Sequence, residues 1–377
     1  MSKETCWIDF ATMQQYMIDV FKGIGVPEAD AATCADVLIA ADKRGVDSHG
    51  VGRLKPIYYD RIVTDKIQKP VTDLSVLRNI GATAVVDGGH GMGMVIGHEC
   101  MTMAIEKAKQ FGVGVVVARN STHYGMAAYY PMMACDAGMI GMTATNARPS
   151  IAPTWGVENM LGTNPLVFAM PTDEPFVFTN DYATSISQRG KIEAYARDGK
   201  QLPPGWVIDR QGRPMTDPHA VLDALVAGEA ALCPIGGLGE ENGGYKGYGY
   251  ATVVEILSAA LQQGAFLKAL NGIDDAGNKT PYCLGHFFMA INIEAFTDLE
   301  AFKKTTGDIL RELRNSQKAE GAERIYTCGE KEHLAWLERK DKGVPVGTVL
   351  QKQMIQMRNE LGLDNYTFPF EQVAASA

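Results

Sequence analysis

The feature that most constrains the fold is a change of pattern near residue 75, after which short apolar runs alternate with stretches of helical spacing. Residues 83–87 and 113–118 have the length and composition of buried strands. Residues 97–111 carry apolar side chains on one helical side, and residues 247–262 form a strongly apolar helical stretch. Strands that alternate with helices predict an α/β domain, which we place at residues 75–296.

Residues 1–74 lack this alternation and predict a helical N-terminal domain. Apolar side chains in residues 10–24 recur at helical spacing, and the Ala-rich stretch 28–44 predicts a second helix. A third helix is expected from about Gly50. Pro56 should kink or interrupt it, because proline has no backbone N–H to donate.

Residues 297–377 return to helical spacing, and we expect these C-terminal helices to pack on the N-terminal domain. Thr297 and Glu300 fit a capping box at the start of the first of them. Earlier in the chain, a Pro- and Gly-rich excursion separates the strand that ends near Asp181 from the helix at 247–262. Asp209-Arg210-Gln211-Gly212 predicts a turn inside this excursion.

Charge and cysteine usage narrow the class of protein. A net charge of −9 argues against general binding to nucleic acid or to an anionic membrane, while still allowing a local basic pocket. The 7 cysteines are scattered without a Cys-x-x-Cys pair, which predicts reduced thiols in a cytoplasmic protein. Residues 1–9 carry no long apolar run, and no run of ~18 apolar residues occurs, so we expect neither a secretory signal nor a transmembrane helix.

Five glycines between residues 88 and 97 follow the predicted strand at 83–87, where a Rossmann domain would have Gly-x-Gly-x-x-Gly. Met94 and Ile96 occupy the positions at which the two possible registers require the last glycine. The pattern therefore favours a tight turn with close helix packing over a Rossmann fold. No spacing typical of a metal site is present, and no Gly-x-Ser-x-Gly turn indicates a serine hydrolase.

His49 lies four residues before Arg53, so a helix that included both would place them on one face. The fork of an arginine binds a carboxylate through two parallel hydrogen bonds, and Ser48 is a suitable helix cap. A helix start with a surface arginine explains the same residues equally well.

His123 follows the strand at 113–118, and ligands of α/β sheets collect beyond the carboxyl ends of strands. Oxidation of an alcohol by hydride transfer needs a base for the hydroxyl proton, which a neutral imidazole supplies near neutral pH. A structural loop histidine is an equal alternative. Arg148 follows the strand at 140–145 and suits a second substrate carboxylate, with a surface ion pair as the alternative.

Two further segments suit a phosphate-containing ligand. Residues 181–187 lead from a strand toward a helix whose free N–H groups would suit a pyrophosphate, although ordinary N-capping explains them as well. Lys246 lies in a glycine-rich segment before the apolar helix and could pair with a phosphate. This segment is not a Walker A loop, because no Ser or Thr follows Lys246.

Taken together and in this order, these segments resemble the malate/L-lactate dehydrogenase family, which lacks a Rossmann fold. The resemblance covers nearly the whole chain and rests on residues 47–53, 120–125, 162–165, 181–185, 246–249 and 285–288. Each segment is a weak signal alone, but several in the right order are specific. The chain departs from the family at Cys328, which precedes Gly329 and Glu330 where the family usually has proline.

The resemblance implies that NAD or NADP binds in an unusual α/β domain, and that the protein is a homodimer with its site near the subunit contact. It implies that His123 is the proton acceptor, that His49 positions the oxygen or substitutes as the acid/base, and that Arg53 holds the substrate carboxylate. We expect further substrate contacts from Ser48, Thr163 and Arg148. The implied cofactor contacts are Asp181, Tyr182, Ala183, Thr184, Ser185, Tyr245, Lys246, Gly329 and Glu330.

We therefore expect hydride transfer between a nicotinamide and a small 2-hydroxy or 2-oxo acid, with malate and oxaloacetate favoured. Lactate, sulfolactate and ureidoglycolate are alternative substrates for the same chemistry. A reductase of cyclic 2-imino acids would use the same carboxylate clamp, and a non-catalytic metabolite-binding protein on the same fold is a further alternative.

Overall fold

A mixed sheet of seven strands forms the centre of the computed structural model, which describes residues 5–374. The strands of the described chain are β1 (Cys6–Ile8), β2 (Ser75–Ile80), β3 (Thr83–Asp87), β4 (Val113–Ser121), β5 (Met139–Thr145), β6 (Leu166–Met170), β7 (Phe178–Tyr182), β8 (Val207–Asp209), β9 (Ala230–Leu232), β10 (Leu284–Asn292) and β11 (Val344–Val346). The central sheet has the order β2-β3-β4-β10-β5-β6-β7. Only β3 and β4 pair in parallel, and the other neighbours in this sheet are antiparallel. The α/β prediction is confirmed, and the sheet differs from the parallel sheet of a Rossmann domain.

Helices cover both faces of this sheet. The α-helices of the described chain are α1 (Phe10–Gly23), α2 (Glu28–Lys43), α3 (Gly93–Phe111), α4 (Tyr129–Asp136), α5 (Arg189–Arg197), α6 (Pro218–Ala227), α7 (Gly244–Ala259), α8 (Leu299–Asn315), α9 (Glu330–Arg339), α10 (Thr348–Leu361) and α11 (Pro369–Ala374). Because side chains alternate along a strand, Val116 and Ala118 of β4 pack under α3 and α4, whereas Val117 packs with Val254 of α7. Within residues 5–374, no helix is both long and apolar enough to cross a membrane.

The third N-terminal helix differs from the prediction. A short 3-10 turn (Val51–Arg53) leads into a π-helix (Leu54–Thr64) that contains Pro56 without interruption. Proline is tolerated there because the first turn of a helix has N–H groups without partners inside the helix.

The N-terminal helices share a core with the end of the chain. Met354 and Met357 of α10 pack in one buried cluster with side chains of α1 and α2, and β1 pairs with β11. By contrast, α8 contacts the loop after β6, where Arg311 forms ion pairs with Asp173 and Glu174.

The division of the chain into domains at residues 74/75 and 296/297 stays a prediction. The prediction that residues 1–9 carry no secretory signal falls partly outside the described residues, because the structure describes the chain only from residue 5.

Two local predictions of the sequence have different outcomes. The capping box at Thr297 is wrong, because Asp298 caps α8 by accepting a hydrogen bond from the backbone N–H of Ala301 at 2.9 Å. The turn at Asp209 is confirmed, since its carboxylate accepts hydrogen bonds from the backbone N–H groups of residues 211 and 213. The excursion around this turn contains α5, α6, β8 and β9 and has its own buried cluster, which includes Ile192 and Val221.

Candidate active site

A cleft of about 620 Å³ lies between the loop after α2 and the carboxyl ends of β4 and β5. This volume falls within the range of about 300–1,000 Å³ that is usual for small-molecule sites. The lining includes Ser48, His49, His123, Asn146, Thr163, Asp181, Tyr182, Ala183, Gly329 and Trp336. The cleft therefore brings together residues that are far apart in the sequence, including both candidate histidines.

A close backbone crossing fixes the position of His123. The N–H of Gly93, at the start of α3, donates a hydrogen bond to Oγ1 of Thr122 at 2.9 Å. A Cβ at position 93 would lie 2.4 Å from the carbonyl oxygen of Thr122 and 2.5 Å from that of His123. Only glycine allows this approach, so the close helix packing predicted for the glycine segment is confirmed.

The imidazole of His123 is held from one side. Its Nδ1 lies 2.8 Å from the phenol oxygen of Tyr58 and 3.2 Å from the backbone nitrogen of Gly125. Within residues 5–374, no protein group contacts Nε2 by a hydrogen bond, and the side chain lines the cleft. Nε2 is therefore the nitrogen that can exchange a proton with a ligand.

His49 lies beside His123, with ring centroids 5.9 Å apart and planes only 14° from parallel. Oγ of Ser48 is 2.9 Å from Nδ1 of His49. The predicted capping role of Ser48 is wrong, because the carboxylate of Asp42 accepts from the N–H of Val51 at 2.9 Å at the start of the 3-10 turn. Ser48 instead contacts the ring of His49 directly.

Arg53 does not itself line the cleft, but it bonds to Ser48, which does, by a contact that the sequence did not predict. His49 precedes the 3-10 turn, so a shared helical face does not bring them together. Instead, Nε of Arg53 donates a hydrogen bond back to the carbonyl oxygen of Ser48. No carboxylate within residues 5–374 pairs with this guanidinium, so its terminal N–H groups can bind an anionic ligand.

Burial and positive charge keep both imidazoles neutral. Removal from water, with a smaller contribution from Arg53, lowers the pKa of His49 to about 4. Burial also lowers the pKa of His123 well below its usual value, and the positive charges of Arg61 and Arg53 lower it further. Both rings are therefore unprotonated at neutral pH, as a general base must be.

The structure also reveals Tyr58 and Arg61, which the sequence reasoning missed. Both lie on the π-helix that follows Arg53, three residues apart. Arg61 is half-buried, with its Cζ 4.4 Å from the centre of the Tyr282 ring. The sequence offered a signal for Tyr58 and Arg61, because both are polar side chains on a predicted helix that follows the candidate carboxylate clamp Arg53.

Arg148 is exposed and does not line the cleft, although its charge acts on Arg61.

The predicted cofactor residues fall into two groups. Asp181, Tyr182, Ala183 and Gly329 line the cleft. The carboxylate of Asp181 accepts a hydrogen bond from the N–H of Ala128 at 3.0 Å, and burial raises its pKa to about 6. Cys328, the departure from the family pattern, lies with its sulfur 3.3 Å from the phenol oxygen of Tyr182. The cysteine therefore contacts a cleft residue.

The other predicted cofactor residues do not line the cleft. Thr184 donates its hydroxyl to the backbone carbonyls of Thr163 and Asn164, at 3.1 Å and 3.0 Å. The carboxylate of Glu330 turns toward Arg324 and the N–H of Thr327. Tyr245 and Lys246 are exposed at the start of α7, where the ammonium lies 5.7 Å from the tyrosine ring centre.

The segment after β7 offers groups that suit a phosphate-containing cofactor. The hydroxyls of Ser185 and Ser187 are buried and have no hydrogen-bond partner among the described residues. The helix α5 begins only at Arg189, so these hydroxyls precede it rather than cap it. Such unpaired buried hydroxyls are costly unless a ligand satisfies them, and they lie next to the cleft-lining residues 181–183. The residues present therefore fit a bound dinucleotide.

Within residues 5–374, no group of three or more His, Cys, Asp or Glu side chains is placed to hold a metal ion. All 7 cysteines are free thiols.

Comparisons with known proteins identify the family and the relatives of this chain. Residues 8–355 match the family model described as malate/L-lactate dehydrogenase. The chain is 42% identical to a malate dehydrogenase of Pyrococcus horikoshii over 93% of this chain and 94% of that one. It is 39% identical to an L-sulfolactate dehydrogenase of Methanocaldococcus jannaschii over 93% and 96% of the two chains. The crystal structure of malate dehydrogenase from Entamoeba histolytica superposes with a TM-score of 0.91 at 42% identity, covering 97% of this chain and 100% of that one.

Proposed function

This chain belongs to the malate/L-lactate dehydrogenase family of hydroxy-acid oxidoreductases, and we propose that it interconverts malate and oxaloacetate with a nicotinamide cofactor, NAD or NADP. The observation that carries the proposal is the neutral pair His49 and His123 at the wall of the cleft, beside the unpaired guanidinium of Arg53. This arrangement supplies a proton acceptor and a carboxylate anchor in one place.

His123 takes the hydroxyl proton of the substrate at Nε2. The imidazolium that forms keeps its Nδ1 proton, which it donates to the phenol oxygen of Tyr58. Arg53 holds the C1 carboxylate through its terminal N–H groups, while the carbonyl of Ser48 fixes Nε. Holding the acid by its carboxylate places the C2 hydroxyl at His123, which turns proton transfer into a local step. His49 positions the same oxygen from the stacked ring and is the alternative acid/base.

A bound nicotinamide would supply the hydride acceptor for C2 of the hydroxy acid and, in the reverse direction, the hydride donor for the oxo acid. Asp181, Tyr182, Ala183 and Gly329 would hold the cofactor from the cleft wall. Thr184, Ser185 and Glu330 support that wall from behind, and Ser185 offers an unpaired hydroxyl. Tyr245 and Lys246 would reach the cofactor only from the exposed start of α7.

Malate is favoured over monocarboxylic substrates because Arg61 adds a positive charge that acts on His123 together with that of Arg53. Arg148, whose charge acts on Arg61, is the candidate for the second substrate carboxylate. Thr163 and Ser48 provide the polar contacts of the substrate end. Lactate, sulfolactate and ureidoglycolate are alternatives within the same chemistry, and a cyclic 2-imino acid would use the same clamp. A non-catalytic metabolite-binding protein is disfavoured by the neutral histidine pair, which binding alone does not require.

We also propose a homodimer in the cytoplasm. Tyr250, Val253 and Ile256 are exposed along one side of α7, which is typical of a surface covered by another chain. The free thiols of all 7 cysteines suit a reducing compartment. Light scattering of the purified protein tests the dimer.

The proposed function is tested by oxidation of NADH and NADPH with a panel of acceptors. The panel contains oxaloacetate, pyruvate, 2-oxoglutarate, sulfopyruvate and a cyclic 2-imino acid. Fast turnover of oxaloacetate with one cofactor is the expected result. Preferred turnover of another 2-oxo acid would replace the substrate and keep the chemistry, whereas activity on the imine alone would overturn the hydroxy-acid assignment.

A further inference from the structure

His286 is a fully buried histidine on β10, the strand that lies between β4 and β5 in the central sheet. Its Nε2 lies 2.7 Å from Oγ of Ser121, and its Nδ1 lies 2.8 Å from Oγ1 of Thr145. Ser121 is the last residue of β4, and Thr145 is the last residue of β5. One imidazole therefore joins the ends of the two strands that lead into the cleft.

The same ring contacts the chain on both sides of His123. Ser121, which bonds to the ring, lies two residues before His123. Tyr124 follows His123 directly and stacks on the ring of His286, with centroids 4.5 Å apart and planes 3° from parallel. Tyr124 also lines the cleft. His286 therefore braces the segment 121–124, which carries the candidate acid/base.

A neutral imidazole matches this position. A neutral ring has one N–H that donates and one nitrogen that accepts, so it can pair with a hydroxyl on each side. Burial lowers the pKa of His286 to about 3, so the ring keeps its neutral form near neutral pH. A buried hydroxyl that loses its partner is costly, and the two contacts therefore hold the strand ends at a fixed separation.

The core alone does not require a polar ring on β10. Phe288 lies two residues further along the strand, is fully buried and packs in the apolar cluster under α3 and α4. The sheet thus accommodates a hydrocarbon ring on the same face, since side chains two apart on a strand point the same way. The polar ring occurs where β4 and β5 end, next to Thr145 and Asn146, which line the cleft.

We propose that His286 is a positioning residue, which holds the ring of His123 at the cleft wall by bracing the segment 121–124. Its own side chain is buried and does not line the cleft, so it acts through its neighbours rather than on the substrate. This inference rests on the proposed function, in which His123 takes the hydroxyl proton. A displacement of about 1 Å at a reacting group can cost ~10²-fold in rate.

The test uses three substitutions that keep different contacts. His286→Phe keeps the ring stack and removes both hydrogen bonds, whereas His286→Gln places an amide near the position of Nε2 and His286→Asn places one near that of Nδ1. We expect single-turnover reduction of oxaloacetate by bound NADH to slow at least ~10-fold in His286→Phe and His286→Asn, because both lose the bond to Ser121. His286→Gln should retain the rate within ~3-fold, and the Kd of NADH should change by less than ~3-fold in all three proteins.

Thr143→Val is the matched control. Oγ1 of Thr143 is also buried between β5 and β10, where it donates to the carbonyl oxygen of Phe287 at 2.9 Å, but Thr143 does not line the cleft. We expect Thr143→Val to lower the melting temperature and to leave the rate within ~3-fold of wild type. A rate loss in Thr143→Val as large as that in His286→Phe would overturn the assignment. Equal rates in His286→Gln and His286→Asn would also overturn it, and this comparison decides if His286→Phe does not fold.

Imidazole NMR separates this inference from the proposed function. Isotope-labelled ring nitrogens report on the 7 histidines without turnover, and His123→Ala identifies the signals of His123. We expect these signals to shift in His286→Phe and to stay near the wild-type position in His286→Gln. If they do so while wild-type protein reduces no 2-oxo acid, the proposed function fails and His286 still positions His123. If turnover is fast and the signals are the same in every variant, the inference fails and the function stands.

Discussion

The phenol oxygen of Tyr58 lies 2.8 Å from Nδ1 of His123, and the backbone N–H of Gly125 approaches the same nitrogen at 3.2 Å. A backbone N–H can only donate, so Gly125 alone would keep the imidazole proton on Nε2. A phenol oxygen can also accept, and Tyr58 thereby allows the proton to reside on Nδ1. Only that tautomer leaves the lone pair of Nε2 free for a substrate proton.

We predict that Tyr58→Phe lowers kcat for malate oxidation at least ~10-fold with little change in KM, because His123 is left mainly in the inactive tautomer. The control is Tyr59→Phe, since the neighbouring phenol bonds to Glu360 at 2.5 Å rather than to a cleft residue. Steady-state kinetics of both variants provide the measurement. Equal effects of the two substitutions would indicate a structural role for Tyr58.

Arg53 should influence both binding and pH dependence. Its charge helps to lower the pKa of His49 and His123, so the oxidation rate should hold as pH falls through ~6.5, the usual histidine pKa, and decline only well below it. We predict that Arg53→Gln raises KM for oxaloacetate ~10²-fold and moves this acidic limb to higher pH. Arg53→Lys should retain the limb but still bind poorly, because it lacks the planar fork. A pH–rate profile that is identical in all three proteins would contradict this account.

Gly93 tests whether the backbone crossing positions His123. An alanine Cβ at position 93 would meet two backbone carbonyls at 2.4 Å and 2.5 Å, and neither can move without the loop of residues 122–123. We predict that Gly93→Ala destabilises the protein by about 1–3 kcal/mol and also reduces kcat. The control is Gly190→Ala on α5, where an added Cβ would meet no atom within 4 Å. Thermal melts and activity assays of the two variants should diverge.

Asp42 is a fully buried carboxyl group whose pKa is raised to about 8, chiefly by burial, with opposing contributions from Asp47 and Arg339. A pKa raised by folding favours the protonated folded state. The stability that protonation confers is therefore complete below the usual value of 3.8 and is lost as pH rises toward about 8. We predict that Asp42→Asn, which can still accept from Val51, is at least ~1 kcal/mol more stable than wild type near pH ~9 and loses most of this advantage near pH ~5. Urea denaturation at the two pH values tests this, and a difference that does not depend on pH would contradict it.

The main elements of the fold could be predicted because their signals are local. The apolar spacing of α1, α2 and α7 and the β-branched composition of β4 decide their structure within a few residues. Strand β2 was missed because its side chains are all exposed and it follows no apolar alternation. The π-helix could not be inferred, because π-helices are rare and no local pattern in residues 54–64 distinguishes one from an α-helix.

The candidate site was only partly predictable for a related reason. His49 was identified by its spacing to Arg53 and His123 by its position after a strand, and the structure brings the two histidines together. The sequence could not indicate that Arg53 folds back onto Ser48 or that Tyr58 contacts Nδ1 of His123. It also could not indicate that Thr184 and Glu330 turn away from the cleft. Thr184 bonds to Thr163, which is distant in the sequence, and Glu330 bonds to Thr327 in the loop before α9.

The central claim is that His123 is the acid/base of a 2-oxo acid reductase. It is tested most directly by single-turnover reduction of oxaloacetate by enzyme-bound NADH, in wild-type protein, His123→Ala and His49→Ala. The account predicts that His123→Ala slows the chemical step by ~10²-fold or more, the range for loss of a general acid/base, and that His49→Ala has a smaller effect. An unchanged rate in His123→Ala, together with a large loss in His49→Ala, would contradict the claim and transfer the role to His49.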